Sequence, residues 1–221
     1  MRLRHGPESV SRQASRNPQL ARAGLYVITP DAPAERVLEV AAAAVRGGAD
    51  IVQLRHKSMP RGELLELAKR LRASIEGALF VVNDYVDIAL LSEADGVHLG
   101  PDDLSIASAR RVAGDRLLIG ASASTPERAH QAVAQGADYL GCGPAFATPI
   151  KAEKRVIGPE GIAAIARRVD VPVFAIGGID ASNLPQLTAA GLHRVCVLRA
   201  VGDAPDPEEA TRELRAMLSP R

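Results

Sequence analysis

Eight times between residues 25 and 198 the sequence sets a short apolar or β-branched run ahead of a longer stretch of mixed polarity. The short runs are 25–29, 51–55, 79–83, 96–99, 117–122, 139–142, 173–176 and 194–198. The stretches between them carry apolar residues at helical spacing, as in 34–46, 62–75, 126–135 and 159–168, and a further such stretch, 207–218, follows the last run. The third run is followed by only 85–92, which predicts a short helix. Strand-like runs that alternate with helical ones imply a parallel sheet, because the return of each strand needs a crossover. Eight such units in 221 residues predict a single α/β domain closed as a (β/α)₈ TIM barrel over 23–221. An open doubly wound sheet is the competing arrangement. It more often uses five or six strands, and the sequence has no glycine-rich dinucleotide fingerprint after the first run.

A punctuation mark supports the same reading. Gly48-Ala49-Asp50, Ala94-Asp95-Gly96, Gly136-Ala137-Asp138 and Gly191-Leu192-His193 each stand between a helical stretch and the next strand-like run. Glycine suits the left-handed position that ends a helix. Because Asp50, Asp95 and Asp138 precede their strands, they belong to the end of a barrel where residues serve stability.

Composition narrows the function. The formal net charge is +1 and aromatic residues make up 3%, so neither a nucleic-acid partner nor an acidic membrane surface is expected. No apolar stretch reaches the length of a membrane span, and the first 22 residues lack a hydrophobic signal core. Those residues, rich in Arg, Ser and Pro, read as a flexible extension. An organelle transit peptide is the lesser alternative. The two cysteines, Cys142 and Cys196, lie inside apolar runs and read as buried, reduced thiols of a cytoplasmic protein.

Chemistry in a barrel sits where strands end, and here those ends are polar beyond what packing requires. The second run leads into Gln53-Leu54-Arg55-His56-Lys57, the third into Asn83-Asp84, the fourth through His98 into Asp102-Asp103, and the fifth to Ser122. The sixth is followed by Thr148-Pro149-Ile150-Lys151, the seventh by Gly177-Gly178, and the eighth ends at Leu198-Arg199. Asp84 and Asp103 follow neighbouring strands, and two close carboxylates repel unless a cation relieves them. Mg²⁺ accepts one or two carboxylates and completes its shell with water and phosphate. The same two residues could instead cap short helices starting at Tyr85 and Ser105. Arg55, Lys57 and Lys151 bring cations from two loops to the same face, suited to phosphate oxygens. The Gly177-Gly178 pair exposes backbone amides where barrels frequently hold a second phosphate, though a tight turn would also need glycine there. His98, inside its run, reads as a barrel-interior residue.

Taken in this order, Q-L-R-H-K (53–57), V-N-D-Y-V-D-I-A-L (82–90), A-D-G-V-H-L-G-P-D-D-L (94–104), G-P-A-F-A-T-P-I-K (143–151) and A-I-G-G-I (175–179) resemble the thiamine phosphate synthase family. The resemblance runs from about residue 25 to the C-terminus. It implies an enzyme, a transferase that joins hydroxymethylpyrimidine diphosphate to thiazole phosphate with Mg²⁺ as cofactor. By the same resemblance Gln53, Arg55, Lys57, Asn83, Ser122 and Lys151 hold the pyrimidine diphosphate, with Leu54 and His56 in the same segment. Asp84 and Asp103 bind the metal. Thr148, Pro149, Ile150, Gly178, Leu198 and Arg199 line the thiazole-phosphate end, and Arg55, Lys57, Ser122 and Lys151 are the catalytic set. Ile150 stands where the family usually has a second Thr, and Arg199 where it often has Ser, so Arg199 is expected to supply a phosphate contact that Ile150 cannot. Two rival functions are a thiazole phosphate isomerase of the same fold and a non-catalytic phosphate-ligand sensor. The isomerase branch tends to lose both carboxylates and to use a His after the fifth strand, where this chain reads Ser122-Ala123-Ser124-Thr125.

Overall fold

The computed structural model describes residues 17–148 and 155–218. Eight parallel strands close into a barrel in sequence order: β1 (Leu25–Ile28), β2 (Ile51–Leu54), β3 (Leu79–Asn83), β4 (Gly96–Leu99), β5 (Leu118–Ala123), β6 (Tyr139–Cys142), β7 (Val173–Ile176) and β8 (Val195–Val197). The last strand pairs with the first, Tyr26 lying opposite Cys196. The helices are α1 (Pro18–Arg22), α2 (Ala34–Arg46), α3 (Arg61–Ser74), α4 (Val86–Leu91), α5 (Ile106–Ala113), α6 (Pro126–Ala134), α7 (Gly158–Ala166), α8 (Leu184–Ala189), α9 (Arg199–Gly202) and α10 (Pro207–Leu218). The expected barrel therefore stands, with α4 as short as its segment required.

Alternation along each strand splits the apolar residues into two cores. The larger lies between strands and helices and includes Val27, Val52, Leu54, Phe80, Val82 and Leu140. The smaller fills the barrel interior with Tyr26, Ile28, Ile51, Leu79, Val81, Tyr139, Phe174 and Cys196. Three large rings meet there, with Tyr26 and Tyr139 each edge-on to Phe174 at centroid distances of 5.5 and 5.8 Å. Room for them comes from interior glycines: a Cβ on Gly120 would lie 2.1 Å from the Tyr139 ring. Both cysteines are free and buried as expected, Cys142 in the outer core and Cys196 inside the barrel. Burial pushes the Cys142 thiol up to about 12.

The flexible extension expected through residue 22 is corrected over its last residues. Asn17 caps α1, its side chain accepting from the Gln19 and Leu20 amides, with Pro18 at the first helical position. One turn places Leu20 and Ala23 across the floor of the interior core, and burying Leu20 contributes about 2 kcal/mol. A single buried residue in a five-residue helix leaves no periodicity to read. The remainder of the expected extension, 1–16, lies outside the described residues.

At the same floor the three aspartates repeat one bonding pattern. Asp50 Oδ2 accepts from the Gly24 and Leu25 amides at 2.7 and 2.9 Å and from Arg215 of α10 at 2.6 Å. Asp95 Oδ2 accepts from the Phe80 amide at 2.7 Å and from Arg72 of α3 at 2.8 Å. Asp138 Oδ2 accepts from the Ile119 amide at 2.7 Å and from Arg110 of α5 at 2.5 Å. Each aspartate thus ties the strand it precedes to the start of the strand before, and draws in an arginine from the helix ahead of that pair. The fourth position, His193, lacks the carboxylate, and its neighbour Arg194 instead donates to Ala21 O of α1 at 2.8 Å.

Candidate active site

The opposite end of the strands gathers the polar residues. Gln53 is the last inward-facing residue of β2, and its amide is buried at 2% exposure. Asn83 ends β3 opposite His98 of β4. Ser122, near the end of β5, meets His98 Nε2 at 3.1 Å. A Cβ on Gly141 would lie 3.2 Å from the His98 ring, which places His98 inside the barrel as its strand position implied.

Asp84 sits one residue beyond β3 with φ of 66°, a left-handed backbone that a residue other than glycine rarely adopts. The turn is held by its amide, which donates to His98 O at 2.9 Å. Asp84 Oδ2 accepts from Lys57 Nζ at 2.6 Å. Asp103 Oδ2 accepts from the Gly100 amide at 2.7 Å. Its carboxyl is raised above the usual range, first by burial and then by its hydrogen bond to Asp84. The alternative role for these two carboxylates is not found: Ser105 caps α5 with its own hydroxyl, and α4 has no side-chain cap.

Two adjoining carboxylates, one of them raised first by burial and then by its neighbour, could hold a divalent cation. Among the described residues no third His, Cys, Asp or Glu joins them. The share of the described residues in such a shell would be two carboxylates, which suits Mg²⁺, an ion that takes water and phosphate oxygens for the rest.

The loop after β2 is braced on the loop after β1. The Lys57 amide donates to Asp31 Oδ2 at 3.2 Å, His56 Nδ1 lies 3.0 Å from Asp31 Oδ1, and His56 Nε2 lies 3.1 Å from Ala32 O. The Arg55 amide donates to Thr29 Oγ1 at 3.2 Å. His56 Nδ1 also accepts from the Met59 amide at 3.1 Å, so the ring ties its own loop to the neighbouring one, while Leu54 packs into the outer core. Asp31 was not singled out by sequence, since nothing local marks a single aspartate in a Pro-rich turn as the brace of a lysine 26 residues away.

The loops after β6 and β7 interlock. Ala145 and Phe146 donate from their amides to Ile176 O and Gly177 O, each at 2.9 Å. Gly177 and Gly178 both take positive φ, 103° and 67°, and a Cβ on Gly178 would lie 2.6 Å from Ala147 O. Glycine is required here by the turn and by the close approach alike. Asn183 Nδ2 fixes the loop by donating to Gly178 O at 2.8 Å. Thr148 ends the described part of the β6 loop, half-buried. Leu198 and the exposed Arg199 open α9 beyond β8. Pro149, Ile150 and Lys151 lie outside the described residues.

A family model described as thiamine monophosphate synthase matches residues 25–201. The chain is 46% identical to the thiamine-phosphate synthase of Gloeobacter violaceus over 206 residues, 92% of this chain and 60% of that protein. It is 42% identical to the thiamine-phosphate synthase of Methanocella arvoryzae over 200 residues, 88% of this chain and 94% of that one. It thus spans only about three-fifths of the cyanobacterial relatives (60% and 57% of the first two) and nearly all of the archaeal one. Among solved structures, thiamine phosphate pyrophosphorylase from Pyrococcus furiosus superposes with a TM-score of 0.83 at 41% identity, covering 91% of this chain and 98% of that one. A 3-hexulose-6-phosphate synthase superposes with a TM-score of 0.73 at 21% identity and shares the fold.

Proposed function

The chain belongs to the thiamine monophosphate synthase family, and from that premise we propose that it joins hydroxymethylpyrimidine diphosphate to thiazole phosphate, giving thiamine phosphate and diphosphate. The observation that carries the reading is the cluster of Lys57, Asp84 and Asp103 beside the polar ends of β2, β3 and β5. It combines a cation already in place with a pair of carboxylates that calls for another, which is the environment a departing diphosphate needs.

Asp84 and Asp103 would hold Mg²⁺, which when bound neutralises charge building on the leaving diphosphate. Lys57, from the braced β2 loop, and Arg55 beside it add fixed positive charge, with Lys151 as a third cation. As the bond between the pyrimidine methylene carbon and the diphosphate oxygen breaks, that oxygen keeps the electron pair. The electron-rich aminopyrimidine carries the resulting positive charge, and the thiazole nitrogen then gives its lone pair to the methylene carbon. No protein nucleophile or strong base is required. The chain's work is to hold the ring against Gln53, Asn83 and Ser122, to neutralise the diphosphate, and to place the second substrate. The amides of the Gly177-Gly178 loop and the start of α9, with Thr148 and Arg199 at their edges, would hold the thiazole phosphate.

The test is a two-substrate assay with Mg²⁺ in which thiamine phosphate and diphosphate are both measured. Equal release of the two, lost in Asp84→Ala, is the expected result. A folded protein that binds thiazole phosphate but releases neither product would overturn the reading.

A further inference from the structure

Beneath Gln53 lie two phenols that the proposed chemistry leaves unused. Gln53 Nε2 donates to Tyr26 Oη at 2.6 Å, and Tyr26 Oη lies 3.0 Å from Tyr139 Oη. The three residues come from β2, β1 and β6 and are only 2%, 1% and 1% exposed. Burial raises both phenols far above their ordinary range, so each keeps its single proton. An amide nitrogen donates only, so Tyr26 Oη accepts from Gln53, and between the two phenols either can donate to the other. In that polarity Gln53 Oε1 is the amide atom left over, and it takes no hydrogen bond from the described residues. With the opposite polarity, Tyr139 would donate to Tyr26 and Tyr26 to Oε1, and the amide would turn its NH₂ outward instead. The two phenols beneath Gln53 therefore bear on whether the side chain above them offers an acceptor or a donor.

We propose that Tyr26 is a positioning residue that, through Gln53, makes the site select a pyrimidine bearing an exocyclic amine over one bearing an oxo group at the same ring position. An amine donates to the Oε1 that Tyr26 leaves free, whereas an oxo oxygen faces it lone pair to lone pair. A site built to bond one of two near-isosteric groups rejects the other strongly, because the mismatch leaves buried polar atoms unpaired. The inference rests on the proposed reaction, which brings an aminopyrimidine to Gln53.

Calorimetric binding separates the two ideas, with Mg²⁺ present and the amine- and oxo-bearing pyrimidinylmethyl diphosphates as probes. The wild-type protein is expected to favour the amine. Tyr26→Phe should cut the ratio of the two dissociation constants by roughly tenfold, since the freed amide turns to suit either ring. Tyr139→Phe should move the ratio the same way or past unity, because Tyr26 is left to give its proton to Gln53. A purely structural role would weaken both probes equally and keep the ratio. A wild-type protein that binds neither probe overturns the reaction and the inference together. A wild-type protein that selects the amine, with the ratio unchanged in both variants, overturns the inference alone. Should Tyr26→Phe fail to fold, Tyr139→Phe decides.

Discussion

Aspartates stand at both ends of this barrel, and the two sets are built on opposite terms. At the floor, Asp50, Asp95 and Asp138 each meet an arginine and at least one backbone amide, so every charge is answered by the protein. At the mouth, Asp84 and Asp103 meet one another, and their donors among the described residues are Lys57 and the Gly100 amide. A carboxylate satisfied from within stabilises the fold and has nothing left to offer a ligand. A pair held together against its own repulsion costs stability, and a bound cation would relieve it. The difference is in the partners, not the residue type.

The sharpest way to break this contrast is Asp84→Ala. We expect the rate of thiamine phosphate formation to fall about 10³-fold, the scale of losing a main electrostatic contributor, with thermal unfolding close to wild type. An unfolding temperature lowered as far as by a floor substitution would erase the distinction. Next in size is Asp138→Asn, which strands Arg110 at the most buried of the floor pairs. Denaturant unfolding should show a loss of about 2–3 kcal/mol, with turnover per folded molecule unchanged. Smaller is Arg199→Ser, for which the KM of thiazole phosphate should rise about tenfold, one charge-assisted contact, with kcat held. An unchanged KM would remove Arg199 from the site.

The smallest effect carries the most telling sign. The Asp103 carboxyl is raised above its unfolded value. A raised carboxyl favours the fold at pH below the unfolded pKa and loses that contribution as pH climbs through the folded one. In the absence of divalent cations, Asp103→Asn should therefore melt slightly higher than wild type near pH 7, by about 1–2 °C, and the gain should vanish toward pH 4. The asparagine change at the floor lowers stability, so the two ends should respond with opposite signs.

The aspartates of the floor were legible in the sequence, whereas α1 was not and the mouth was so only in part. An aspartate just after a helix and just before a strand has a position in the fold once the strand is recognised, but the arginine that meets it could not be read. The polar strand ends were equally visible, because Gln53, Asn83 and Ser122 interrupt apolar runs. What could not be read was contact across the interior. Tyr26 lies 113 residues from Tyr139 and looks in sequence like one more apolar core residue. Gly120 gives no hint that it makes space for a ring. Strand limits moved by a residue, β5 running to Ala123 and β8 shrinking to Val195–Val197, because the hydropathy of a run does not say where its hydrogen-bond ladder stops.

The arginines of the floor come always from the helix ahead of the strand pair they serve: α3 for β3 and β4, α5 for β5 and β6, and α10 for β1 and β2. On the closed ring these three are equivalent, but in synthesis they are not. Two of the clamps can shut as soon as their own strands have been made. The pair that leaves the ribosome first must wait for residues 207–218, made last among the described elements, whose helix also meets α2 through Arg46 and Glu208 at 2.7 Å. During translation Asp50 therefore waits for the last described helix before its arginine can reach it.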